Sequence, residues 1–134
     1  MRQAEKNETV STTSRAALEA ARALARKFAE SEVFKEFEAA SAAFRGDAEA
    51  QKLFRSYQSA QRETQMIRGW GGHDKGFEDR FQRLQTALFA HPTCKRYLAS
   101  QESLLVALKD LNVYLTGKLG FDLAEMTKPA GGCC

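Results

Sequence analysis

The chain has 134 residues, the length of one ordinary domain. Its 43% apolar and 28% charged content excludes a wholly disordered chain, and the absence of any run of about 18 apolar residues excludes a spanning helix. The net charge of +3 comes from 20 basic and 17 acidic residues with interspersed signs, as in Glu30, Glu32, Lys35, Glu36 and Glu38. That is the pattern of a solvated helical surface and not of a dedicated nucleic-acid face.

Good helix formers dominate, prolines number only two, and the Val/Ile/Thr-rich runs of strands are missing, so the expected class is all-α. The expected architecture is an antiparallel bundle of four to five helices, two of them long. Residues 1–13 are polar and aperiodic and are expected to form a flexible N-terminal arm without the apolar core of a secretory signal. A first helix is predicted from Ser14, a good cap, with Ala17, Leu18, Ala21, Leu24, Ala25 and Phe28 on one face. Ser31 reads as a second start, followed by Phe34, Phe37, Ser41 and Phe44, so a break is expected near 29–31, with one continuous helix as the alternative.

Gly46 is expected to end that helix in the left-handed conformation, and Asp47 to cap the next. The third helix is predicted over about 48–66, with Ala50, Leu53, Phe54, Tyr57, Ala60 or Gln61, and Thr64 as its stripe. Its far half is more polar and is expected to be partly exposed or to meet a partner. Four glycines within Arg68–Gly76 make the main loop. A fourth helix follows, with Phe77, Phe81, Leu84 and Leu88 at helical spacing. Pro92 suits the first position of a fifth helix running to about Leu119, through Tyr97, Gln101, Leu104, Leu108, Leu111, Leu115 and Leu119, with Leu98, Leu105 and Val113 widening the stripe. At 1.5 Å per residue this helix is about 40 Å long. The helical domain thus spans 14–120, and 121–134 is expected to be a flexible cysteine-containing tail.

A chain of this size cannot wrap such a helix on all sides. The stripes of the third and fifth helices stay partly wet in a monomer, and exposed apolar patches mark association surfaces. A homodimer or hetero-oligomer is therefore expected, with Phe81, Leu84, Leu88, Leu104, Leu108, Leu111 and Leu115 shared between core and interface. Trp70 is either an exposed anchor for a partner or a lid over the bundle end.

The order and spacing of several pieces are similar to the YlbF/YmcA family of small helical bacterial proteins. The pieces are Leu24-Ala25, the run from Ser31 to Phe37, the run from Gly46 to Leu53, Gln58 and Gln61, and the run from His91 to Leu104. They cover about Ala17 to Leu119. Where that family usually has Asn or Asp before the proline, this chain has His91, a weaker cap. The resemblance implies a cytoplasmic, non-enzymatic regulator linked to competence, sporulation and biofilm control. It also implies assembly, as in some members, with related helical chains and a third protein, acting on messenger RNA processing by a membrane-tethered endoribonuclease. Some such assemblies hold iron–sulfur clusters on cysteines, including cysteines near chain ends.

Cys133 and Cys134 are soft-ligand candidates, and Cys94 is a third whose pKa is expected to be lowered at a helix start. A cluster usually takes four thiolates, so this iron–sulfur cluster would be shared with a partner chain. The plainer reading makes Cys94 a small core residue. Three cysteines, two of them adjacent, form no disulfide framework, which suits the reducing cytoplasm. His73 and His91 lack helical ligand partners. No nucleophile–base set or phosphate-binding glycine loop is present, so no catalytic residues are assigned and no enzyme is expected. The second reading of function is a metal- or cluster-carrying redox sensor. The third is a small RNA-binding protein using Arg62, Arg68, Lys75, Arg80 and Arg83 with Trp70 and Phe77, opposed by Glu63, Asp74, Glu78 and Asp79.

Overall fold

The structure, a computed structural model, describes residues 2–126 and 128, with 2–11 and 13 described by backbone alone. Six helices and no strand occur among these residues: α1 (Arg2–Ala29), α2 (Glu32–Gly46), α3 (Ala48–Gly69), α4 (Lys75–Ala90), α5 (Pro92–Leu119) and α6 (Leu123–Met126). No helix among them is long and apolar enough to cross a membrane. The chain divides into two units, Met1–Lys35 and Glu36–Cys134.

In the first unit the helical backbone starts at Arg2, well before the Ser14 cap that the sequence suggests. Ala, Glu, Gln and Arg before Ser14 are good helix formers, and Ser14 lies within the helix. Arg26 and Lys27 fill the last turn, where basic side chains suit the negative helix end. The expected break falls at Glu30–Ser31. Ser31 Oγ donates to the Phe28 carbonyl at 2.6 Å and accepts the Phe34 N–H at 3.3 Å, so one hydroxyl closes one helix and opens the next. Phe28 and Phe34 meet edge to face across the break, 6.0 Å between ring centres.

In the second unit α3 and α4 form an antiparallel hairpin. Tyr57 stacks on Phe81, Glu63 pairs with Arg80, and Arg68 pairs with Glu78, so numbers rise along one helix as they fall along the other. Ala50 and Ala60 are buried on α3, and such small side chains let the helices approach closely. Thr64 is buried too, which corrects the expectation of an exposed or partner-facing end for the α3 stripe. α4 folds back over that end, and its hairpin contacts cover what the residue types alone leave open.

α5 then turns back at His91. The core joins Ala50, Leu88 and Cys94, with Phe44, Leu53, Phe54, Tyr57 and Leu98 packed around them. Leu88, 1% exposed, contributes on the order of 2 kcal/mol by leaving water. α2 joins this core through aromatic rings. Phe44 stacks on Tyr97 at 4.6 Å and meets Phe54 edge to face at 5.5 Å, while a bidentate Arg96–Glu36 pair at 2.7 and 3.1 Å ties the helices outside.

Within the second unit three helix boundaries differ from the sequence reading. Gly46 does not adopt positive φ; the Gln51 side-chain amide instead donates to the Phe44 and Arg45 carbonyls at 3.3 and 2.6 Å and finishes α2. α3 runs on to Gly69, and Gly71, with φ 74°, makes the left-handed turn. α4 begins at Lys75 and not at Phe77, because Asp74 caps it by accepting the Gly76 and Phe77 N–H groups. Beyond α5 the expected tail contains a helical turn, α6, started by Asp122, which accepts the Ala124 and Glu125 N–H groups.

Candidate functional site

The sequence-predicted interface residues separate into two places. Leu88 lies in the core, and Phe81 and Leu84 are half-buried in the hairpin. Leu104, Leu108, Leu111 and Leu115 lie farther along α5. Leu104, Leu111 and Leu115 are half-buried there, while Leu108 between them is 42% exposed.

The positions Cys94, Tyr97, Gln101, Leu104, Leu108, Leu111 and Leu115 repeat at alternating steps of three and four. This is the seam spacing of two helices packing knobs into holes. Its first turn is filled by the chain's own core, with Cys94 at 0% exposure and Tyr97 against Phe44. From Gln101 onward the seam opens. Leu105, beside it, is exposed, as are Val106 and Val113 on the opposite side of the helix and Tyr114. The sequence reading used Val113 and Leu105 only to widen the stripe. It missed Val106 and Tyr114, and no periodic signal distinguishes them, because they fall off the seam.

Trp70 sits in the α3–α4 turn and is 83% exposed. Met66 and Phe77 beside it are exposed as well. The turn conformation explains this: the Trp70 and Gly71 N–H groups close the last carbonyls of α3, so the backbone is satisfied while the ring is left outside. A lid over the bundle end is therefore not its position. Two of the five basic residues around the turn, Arg68 and Arg80, are held by neighbouring acids. Arg68 holds Glu78 at 2.6 and 2.8 Å, and Arg80 holds Glu63 at 3.0 Å. The Arg68 guanidinium accordingly pulls the Glu78 carboxyl below its ordinary range.

At the opposite end of α4, Asp47 caps α3 by accepting the Ala50 N–H at 2.9 Å and stands beside the Thr93 side chain in the first turn of α5. His91, the cap residue of α5, makes no side-chain cap bond; its Nε2 lies 3.9 Å from Asp47 Oδ2. Asp47 thus brings a negative charge to the start of α5, where His91 makes no cap bond. Its pKa is lowered, first by the Ala50 N–H and then by Thr93.

Cys94 follows on the same turn, buried, with its thiol 3.6 Å from the Ala50 carbonyl. Its pKa is raised by burial and then by the Asp47 charge, opposite to the lowering expected from a helix start. Desolvation of the thiolate outweighs the helix dipole. A protonated thiol facing a carbonyl inside the core does not fit as a cluster ligand. Among the described residues no group of three or more His, Cys, Asp or Glu side chains has metal-holding geometry. The cluster reading therefore rests on Cys133 and Cys134, which lie outside the described residues.

A family model described as control of competence regulator ComK, YlbF/YmcA, matches residues 17–119, from the middle of α1 to the last residue of α5. No curated protein matches the chain.

Proposed function

Since the chain belongs to the YlbF/YmcA family of competence-control regulators, we propose that it regulates by binding protein chains and catalyses no reaction itself. The observation that carries the mechanism is the open half of the α5 seam, in which Leu108 is exposed between three half-buried leucines. A second amphipathic helix covers such a seam and removes its apolar surface from water. A second copy of this chain is the first partner. The positions flanking the open seam are Ser100, Leu105, Ala107, Asn112, Tyr114 and Leu119, and none carries charge. Between Gln101 and Leu115, two copies of α5 can approach without like charges facing each other, a condition under which a helix pairs with its own kind.

Trp70 supplies a separate contact, for a partner other than the second copy. An exposed tryptophan on a glycine turn, held by a backbone with its hydrogen bonds made, resembles a binding hot spot. The odd cysteine count and the charged helix surfaces support the cytoplasm as the place of action.

Analytical ultracentrifugation of the full chain with Leu108→Glu tests the seam. The wild type is expected to sediment as a dimer or larger at micromolar concentration, and the variant as a monomer with unchanged helical circular dichroism. A wild type that stays monomeric at high micromolar concentration removes the reading.

A further inference from the structure

We infer that α6 is a displaceable strap on the α5 seam: it holds one flank of the seam through Asn112 in the single chain and is released when a second copy seats on Leu104, Leu108, Leu111 and Leu115. This rests on the association reading above and adds a built-in competitor to it.

The strap begins at Gly120, which ends α5 with φ 77° and donates its N–H to the Thr116 carbonyl at 2.9 Å. That left-handed turn sends the chain back toward α5. α6 has four residues, too few to be helical on its own in water. Its anchor is one carboxylate oxygen. Asp122 Oδ1 accepts the Ala124 N–H at 2.8 Å, the Glu125 N–H at 3.3 Å and the Asn112 side-chain amide at 3.2 Å. Asn112 stands four residues after Leu108 and three before Leu115, hence at the edge of the open seam.

The strap is held by this polar link more than by apolar burial. Phe121, Leu123 and Met126 all remain exposed. The Thr116 hydroxyl, one turn beyond Asn112, is shut off from solvent with no hydrogen-bond partner. A docking helix that buries Leu108 competes with this hold.

The test uses the full chain, wild type against Asn112→Ala and Asp122→Ala, with amide exchange and sedimentation equilibrium. In both variants exchange over residues 121–126 of the monomer is expected to quicken about tenfold, and dimerisation to tighten about three- to tenfold, because the competitor is gone. In the wild type, exchange over 121–126 is expected to quicken as concentration drives association. Unchanged or weaker dimerisation in both variants with intact helical content overturns the strap while leaving the seam standing. So does slower exchange of 121–126 in the wild-type dimer. A wild type without any dimer overturns both, and is told apart by its single sedimenting species.

Discussion

The Asp47 carboxylate stands at two helix starts at once, capping α3 and lying beside His91 and Thr93 of α5. Both starts favour negative charge, and its pKa is held below the ordinary carboxylate value, chiefly by the Ala50 N–H. With the folded pKa below the unfolded one, its stabilisation is fully present above the unfolded value of about 3.9 and is lost as pH falls through the folded value. Asp47→Asn keeps a capping oxygen and loses the charge. It is expected to melt lower than wild type at pH 7, with the gap closing in melts run below about pH 4. Cys94 makes the opposite case, a thiol pushed up by burial. In a Cys133→Ser/Cys134→Ser chain, a thiol reagent is expected to leave Cys94 unlabelled in the native state and to label it fully in denaturant; rapid native labelling contradicts its placement. Leu88→Ala opens a cavity beside Ala50 and Cys94, and urea unfolding is expected to show a loss of about 2–5 kcal/mol.

At the scale of elements, strongly periodic stretches were legible. Phe77, Phe81, Leu84 and Leu88 lie on α4, and Pro92–Leu119 is the observed α5. Their ends were less so, because a helix stops where its terminal groups find partners, and those partners are set by local geometry. Gln51 finishing α2 is such a case, since an amide five residues past Gly46 reaches back to carbonyls that a left-handed glycine otherwise serves. In the α3–α4 turn the left-handed residue is Gly71, where a Cβ has open space, so a substitution costs backbone strain alone. Gly71→Ala is expected to lose about 1 kcal/mol. Gly69→Ala, at the end of α3 without positive φ and with equal space, is the control and is expected to be neutral or stabilising.

At the scale of the whole molecule, the proposed pairing through the open seam predicts a stability that depends on concentration. A chain that buries Leu108 only in a dimer is stabilised by mass action. The wild-type melting midpoint is expected to rise as protein concentration is raised, and that of Leu108→Glu to stay constant. A wild-type midpoint that does not move argues against association through α5. Trp70 belongs to a different surface, and as the chain's single tryptophan its fluorescence reports on that surface alone. Seam pairing is expected to leave its emission near that of water-exposed indole.

By itself the sequence determined the helical class, most helix positions and the family, because each rests on properties carried within a few turns: spacing of three and four, propensity, and caps beside their helices. It also marked Leu88 and Leu108 as members of equivalent stripes. Only the tertiary structure decided that one is core and the other surface, that Trp70 stands outside, that Thr64 is inside, and that Asp47 brings its charge to the start of α5 beside His91. Those outcomes depend on which stretch of another helix lies opposite, and two turns of identical pattern differ in burial solely through what the chain brings against them.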